Sequence, residues 1–161
     1  MHHHGHVWTG PKERFDNEAL RRPPHPDPPP APVSGQDVQA ERLLKRYRDV
    51  VAEFPAVDLP PLETAYWLIK PRLLVRGTWW EAEGAAAWLG ERLAEYAPRC
   101  ASQTDRDLAR VARLVDAFAE RLHSGADVSY GFYLERPSYL SLAVVTCSPN
   151  RSRPELPCAI A

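Results

Sequence analysis

Cysteine is scarce and scattered in this 161-residue chain. Cys100, Cys147 and Cys158 stand far apart, with no CxxC pair and no histidine close by in sequence to complete a zinc set. All three read as plain thiols, and neither a disulfide framework nor a metal is assigned. Long apolar runs are missing too. "AYWLI" at 65–69 and "LAVV" at 142–145 fall far short of the roughly 20 residues that a membrane-spanning helix needs. The first twenty residues lack the apolar stretch of a secretory signal, so the expected setting is cytoplasmic, without a membrane partner. Lysine is rare, 3 residues against 17 arginines, and the net charge is −1. Such a balance gives no basic excess for phosphate binding.

Signatures of catalysis are also lacking. There is no phosphate-cradling glycine loop, no HExxH and no GxSxG. The body's single histidine, His123, falls at an expected helix end, where a cation suits the dipole. Cys100 and His123 have no third residue to orient them as a nucleophile pair. An enzymatic reading therefore ranks last, and no cofactor is implied.

What the sequence does have is proline, helix patterns and tryptophan. Seven of the seventeen prolines lie between Pro23 and Pro32, a composition that favours extended polyproline II. Residues 1–33 accordingly read as a flexible arm, in which Trp8 and Phe15 offer a docking contact. Its "HHHGH" clusters imidazoles, but no carboxylate or cysteine stands near in sequence to close a metal site.

Residues 34–147 read as one globular domain of four helices and a hairpin, and 148–161 as a polar tail. Ser34 and Asp37 have capping-box spacing, followed by Val38, Leu43, Leu44, Tyr47, Val50, Val51 and Phe54 at helical steps up to Pro55. A second helix is expected from Pro60 to Pro71. Thr78 and Glu81 repeat the capping-box spacing and predict a third helix through "TWWEAEGAAAWLGERL". Leu108, Val111, Ala112, Val115, Phe118, Ala119 and Leu122 make the cleanest stripe, with Ser102 and Asp105 as the expected cap and Gly125 as the stop. The period then changes to two, and Val128–Leu134 with "YLSLAVVTC" predicts a hairpin turning near Pro137. The expected class is mainly α with a small β element: a four-helix body, a C-terminal hairpin and a proline-rich N-terminal arm.

In the third helix, Trp79, Ala82, Ala85, Ala86, Leu89 and Leu93 gather on one side as a core face, while Trp80 and Trp88 fall on the opposite flank among Glu81, Glu91, Arg92 and Glu95. Aromatic residues rimmed by charge are typical of interface centres. The functional expectation is a non-enzymatic accessory or regulatory protein that binds a protein partner through Trp80 and Trp88, with Glu91 and Glu95 as rim and Trp8 and Phe15 as a second contact. Self-association stays open. The runner-up is a winged-helix-like DNA-binding regulator using Arg106, Arg110 and Arg113, although residues 34–147 hold 14 Lys/Arg against 16 Asp/Glu. The terminal Cys158-Ala-Ile-Ala formally satisfies the C-a-a-X prenylation pattern.

Overall fold

The computed structural model describes residues 1–158. In chain order it comprises β1 (His2–Pro11), α1 (Lys12–Phe15), α2 (Glu18–Arg21), α3 (Val38–Ala56), β2 (Gly77–Trp79), α4 (Ala82–Tyr96), α5 (Leu108–His123), β3 (Val128–Tyr133) and β4 (Ser138–Cys147). Short 3-10 turns occupy Thr64–Ile69, Arg72–Leu74, Ala97–Arg99 and Thr104–Arg106. The four strands form one antiparallel sheet in the order β2-β1-β4-β3.

This overturns the expectation of a mainly helical body with a terminal hairpin. The fold is mixed α+β, and half of its strands come from the N-terminal part of the chain. The first eleven residues of the expected arm supply the longest ladder, from His2 against Cys147 to Pro11 against Ser138. The stretch "HHHGHVW" hides its strand character because period-two reading looks for aliphatic residues, whereas here imidazoles are buried: His3, His4 and His6 are each 1 % exposed or less. Thr78 was expected to cap a helix. Instead Gly77–Trp79 pairs with His3–Gly5, since an unpaired strand edge offers backbone partners that a side-chain cap cannot match in number. Helix α4 starts later, at Ala82, with no side-chain cap at Glu81. The expected second helix is likewise reduced to 3-10 turns.

The sheet has two differently covered faces. On one, Leu140, Leu142 and Val144 of β4 pack with Val128 and Phe132 of β3 beneath α4 and α5. The predicted core stripes hold in part: Ala85, Ala86, Leu89 and Leu93 of α4 and Val111, Phe118 and Leu122 of α5 are buried, whereas Leu108 and Ala112 of the expected α5 stripe are exposed. Asp107, rather than Ser102, caps α5 by accepting from the Ala109 N–H at 2.9 Å, and Gly125 ends it with φ +76°, a left-handed position that glycine fills without steric cost. Gly5 has a different reason: a Cβ there would lie 2.7 Å from the Trp88 ring and 2.9 Å from that of Trp79.

On the other face Ala143, Val145 and Cys147 meet Trp67 and Leu68, with Leu74, Leu156 and Cys158 at the margin. Helix α3 lies further out. Asp37 caps it through the Ala40 N–H, but of its apolar stripe only Phe54 is buried, and Val38, Leu43 and Val51 are exposed. Lys70 ties its C-terminal end down by donating to the Phe54 and Val57 carbonyls. The proline-rich segment runs beside it, and Tyr47 Oη donates to the His25 carbonyl at 3.1 Å. No helix of the described residues is long and apolar enough to cross a membrane.

Candidate metal centre

Alternation along β1 sends His2, His4 and His6 to the face opposite α4 and α5. Register places His2 directly across from Cys147 at the end of β4. The chain then reverses at Ser148, whose φ is +66°, and a polar clamp fixes the returning segment. Asn150, buried, donates to the Thr146 carbonyl at 2.7 Å and to Asp127 at 3.0 Å, and its carbonyl accepts from the Ser152 and Arg153 N–H groups, each at 2.9 Å. Asp127 also accepts from the Thr146 N–H at 2.9 Å, and burial pushes its carboxyl above the usual range. Arg153 pairs with Glu63 at 2.6 Å. Leu156 packs beside Trp67 and Leu68, which delivers Cys158 to the histidines.

Four ligand atoms converge. His2 Nε2 lies 3.1 Å from Cys147 Sγ and 3.2 Å from Cys158 Sγ, and His4 Nε2 lies 3.3 Å and 3.5 Å from the same two sulfurs. All four atoms fall within 4.8 Å of one another. Zinc bonds of about 2.0–2.1 Å to nitrogen and 2.3 Å to sulfur set tetrahedral N···S edges of roughly 3.5 Å. The observed quadrilateral is that size or slightly tighter, with nitrogen and sulfur alternating around it.

Neighbours orient the ligands. His4 Nδ1 stands 2.9 Å from Thr78 Oγ1; with the ring proton there, the Nε2 lone pair points at the sulfurs, an outer contact of the kind that fixes ligating imidazoles. Burial, aided by the neighbouring His2 and His3 charges, lowers His4 to about 4, so it is neutral at physiological pH. Burial pushes the Cys147 thiol up to about 11. A bound divalent cation reverses that and holds the group as thiolate. The Trp80 ring stands edge-on to His2 with centroids 4.7 Å apart. Its own outer surface remains 66 % exposed.

Further down the same face, His6 stacks on Trp67 at 4.4 Å, and neither of its ring nitrogens reaches a hydrogen-bond partner. His3, on the opposite face, is held by Thr146 Oγ1 at 2.9 Å.

The residues expected to form one aromatic and acidic patch are separated. Trp80 follows β2 and covers His2, whereas Trp88 lies on α4 against Trp79, centroids 5.1 Å apart. Glu95 pairs with Arg92 at 2.6 Å, with Glu91 more distant at 4.0 Å. Trp8 is buried, and Phe15 packs between it and Tyr139. Of the arginines considered for DNA, Arg106 donates to the Cys100 carbonyl at 2.7 Å and Arg110 pairs with Asp105, leaving Arg113 exposed. His123 pairs with Glu83 at 2.5 Å, and Cys100 bonds within its own turn, so the two form no catalytic pair.

The histidine cluster was visible in the sequence, but its closure by Cys147 and Cys158 was not, because the partners lie at opposite ends of the chain. The signal available was the pair of thiols near the C-terminus matched to a His-x-His strand. Residues 159–161, which complete the prenylation pattern, lie outside the described residues. No known protein family, no curated protein and no solved structure matches this chain.

Proposed function

We propose that this protein binds one zinc ion through His2, His4, Cys147 and Cys158, and that the metal staples the N-terminal strand to the C-terminal segment. The observation that carries this reading is the alternating N2S2 quadrilateral with edges of 3.1–3.5 Å. Two thiols and two imidazoles, with N···S edges close to those of a zinc site, suit zinc better than the oxygen-seeking cations. Four protein ligands fill the coordination sphere, leaving no position for a substrate, which is the pattern of structural rather than catalytic zinc. In this reading the metal supports a non-enzymatic binding protein.

The test is metal content after purification without a metal-affinity step, followed by thermal unfolding with zinc and with a chelator. One zinc per chain is expected. Zinc in thousandfold excess over its dissociation constant stabilises by about 4 kcal/mol, which for a chain of this size raises Tm by roughly 8–16 °C. Cys158→Ser, at a half-buried position away from the sheet core, should lose both the zinc and the shift. Equal Tm values in zinc and chelator would overturn the proposal.

A further inference from the structure

Strand β1 is paired along its whole length on one side only. On that side Lys12 N–H donates to the Pro137 carbonyl, in register with the β4 ladder; on the other the Gly5 carbonyl accepts from Arg76 N–H at 2.8 Å. The N–H and C=O groups of even-numbered residues therefore point to β4, and those of odd-numbered residues point away from it. Strand β2 pairs only with His3–Gly5. Beyond it the outward N–H and C=O groups of Val7 and Thr9 meet no hydrogen-bond partner among the described residues.

This bare edge lies in a cleft of about 460 Å3, walled by Trp88, Arg92 and Tyr96 from α4 on one side and by Trp67 and Leu74 on the other. That volume is within the range of ligand sites. The cleft has a surplus of donors. Trp8 Nε1 and Arg92 Nε are buried without partners, and the Arg76 guanidinium makes no ion pair among the described residues, whereas Asp58 is neutralised by Arg14.

We infer that this cleft binds an extended acidic peptide of a partner protein, which adds a strand along Val7–Thr9 in line with β2 and sets a carboxylate against Arg76. Strand addition uses main-chain bonds for affinity and flanking pockets for side-chain choice. Three residues of exposed edge span about 10 Å, so the bound core is three to four residues long. Apolar side chains of the peptide rest on Trp88 on one face and Trp67 on the other. An unpaired edge is otherwise a liability for unspecific association, and here the two walls admit a single strand. The inference does not depend on the zinc proposal, because none of the four metal ligands lines the cleft.

The probe is the peptide acetyl-Thr-Val-Glu-Val-Thr-amide, titrated into the full chain while the Val7 and Thr9 amide resonances are followed. Two companion peptides carry lysine in place of glutamate, or valine there with a free C-terminal carboxylate. Saturable shifts at Val7 and Thr9 are expected with the glutamate peptide and not with the lysine one. Binding through the free carboxylate peptide alone would place the acid at the partner's C-terminus. Thr9→Pro removes an outward N–H without touching the β4 ladder, as edge proline does, and Arg76→Glu reverses the anchoring charge. Each should weaken binding by about tenfold or more, while Arg72→Glu outside the cleft leaves it unchanged. No saturable shift with either carboxylate peptide, or binding indifferent to both Thr9→Pro and Arg76→Glu, overturns the inference.

Discussion

The two ends of β1 are built on different principles. From His3 to Gly5 the strand is paired on both edges, and this end is covered by Trp79 and Trp80 and closed by two thiols brought from the far end of the chain. From Val7 to Thr9 one edge is bare and opens into a cleft. The first end spends polar side chains on convergence: imidazoles made neutral by burial, and sulfurs held where a cation would join them. The second leaves backbone groups and donors unmatched. A single strand thus has one end suited to being locked and one suited to being met, and the same sheet core supports both.

That core is the reference against which both ends can be perturbed. Phe118→Ala removes a ring buried on the α5 face and is expected to cost about 3–5 kcal/mol. Denaturant titration should show that loss, while zinc stoichiometry in the folded fraction stays unchanged if the ligand end and the helix face are separable.

Acid should act strongly on the histidine face. Burial, with His4 nearby, lowers His6 to about 3, so between pH 6.5 and 3 the unfolded chain takes up a proton that the folded one refuses. Stability is therefore full above pH 6.5 and falls as pH drops; at pH 5 the loss from this one group is about 2 kcal/mol. Urea unfolding at pH 7.5 and pH 5.0 in chelator checks this, and His6→Phe should reduce the difference by that amount, leaving the part due to His4.

Thr78→Ala takes away the contact that orients His4. Loss of such an outer partner weakens metal binding about 10–100-fold, measurable by competition with a zinc-chelating dye, with little effect on the apo fold. The smallest effect is expected for Trp80→Ala. Its ring is 66 % exposed, and surface changes of this kind stay within about 0.5 kcal/mol; a Tm change of several degrees would mean that the ring shields the metal end more than its exposure implies.

What could be read from the sequence follows the same division. The stripe of α5, the buried side of α4 and the β3–β4 hairpin were legible because aliphatic residues repeat there with the period of the element. Helix α3 was legible as a helix, but its amphipathic pattern did not reveal that most of its apolar side would stay exposed. Strand β1 was hidden because its buried positions are histidines, which pattern reading counts as polar. Strand β2 reads as a helix start because Thr78 and Glu81 have the spacing of a cap, and only the neighbouring edge of β1 decides otherwise. The metal centre joins residues up to 156 positions apart, so neither half of it is complete in any local stretch. Trp8 and Trp88 line one cleft. Trp80 and Phe15 lie outside it.

Cobalt substitution tests the ligand set at the closed end of β1 most directly. Cobalt(II) added to the chelated protein should give the intense visible ligand-field bands of a tetrahedral site, with near-ultraviolet sulfur-to-metal charge transfer, and both should disappear in Cys158→Ser, whose three remaining ligands no longer hold the metal. A weak, octahedral-type spectrum without thiolate bands, or a spectrum unaltered by that substitution, would contradict it.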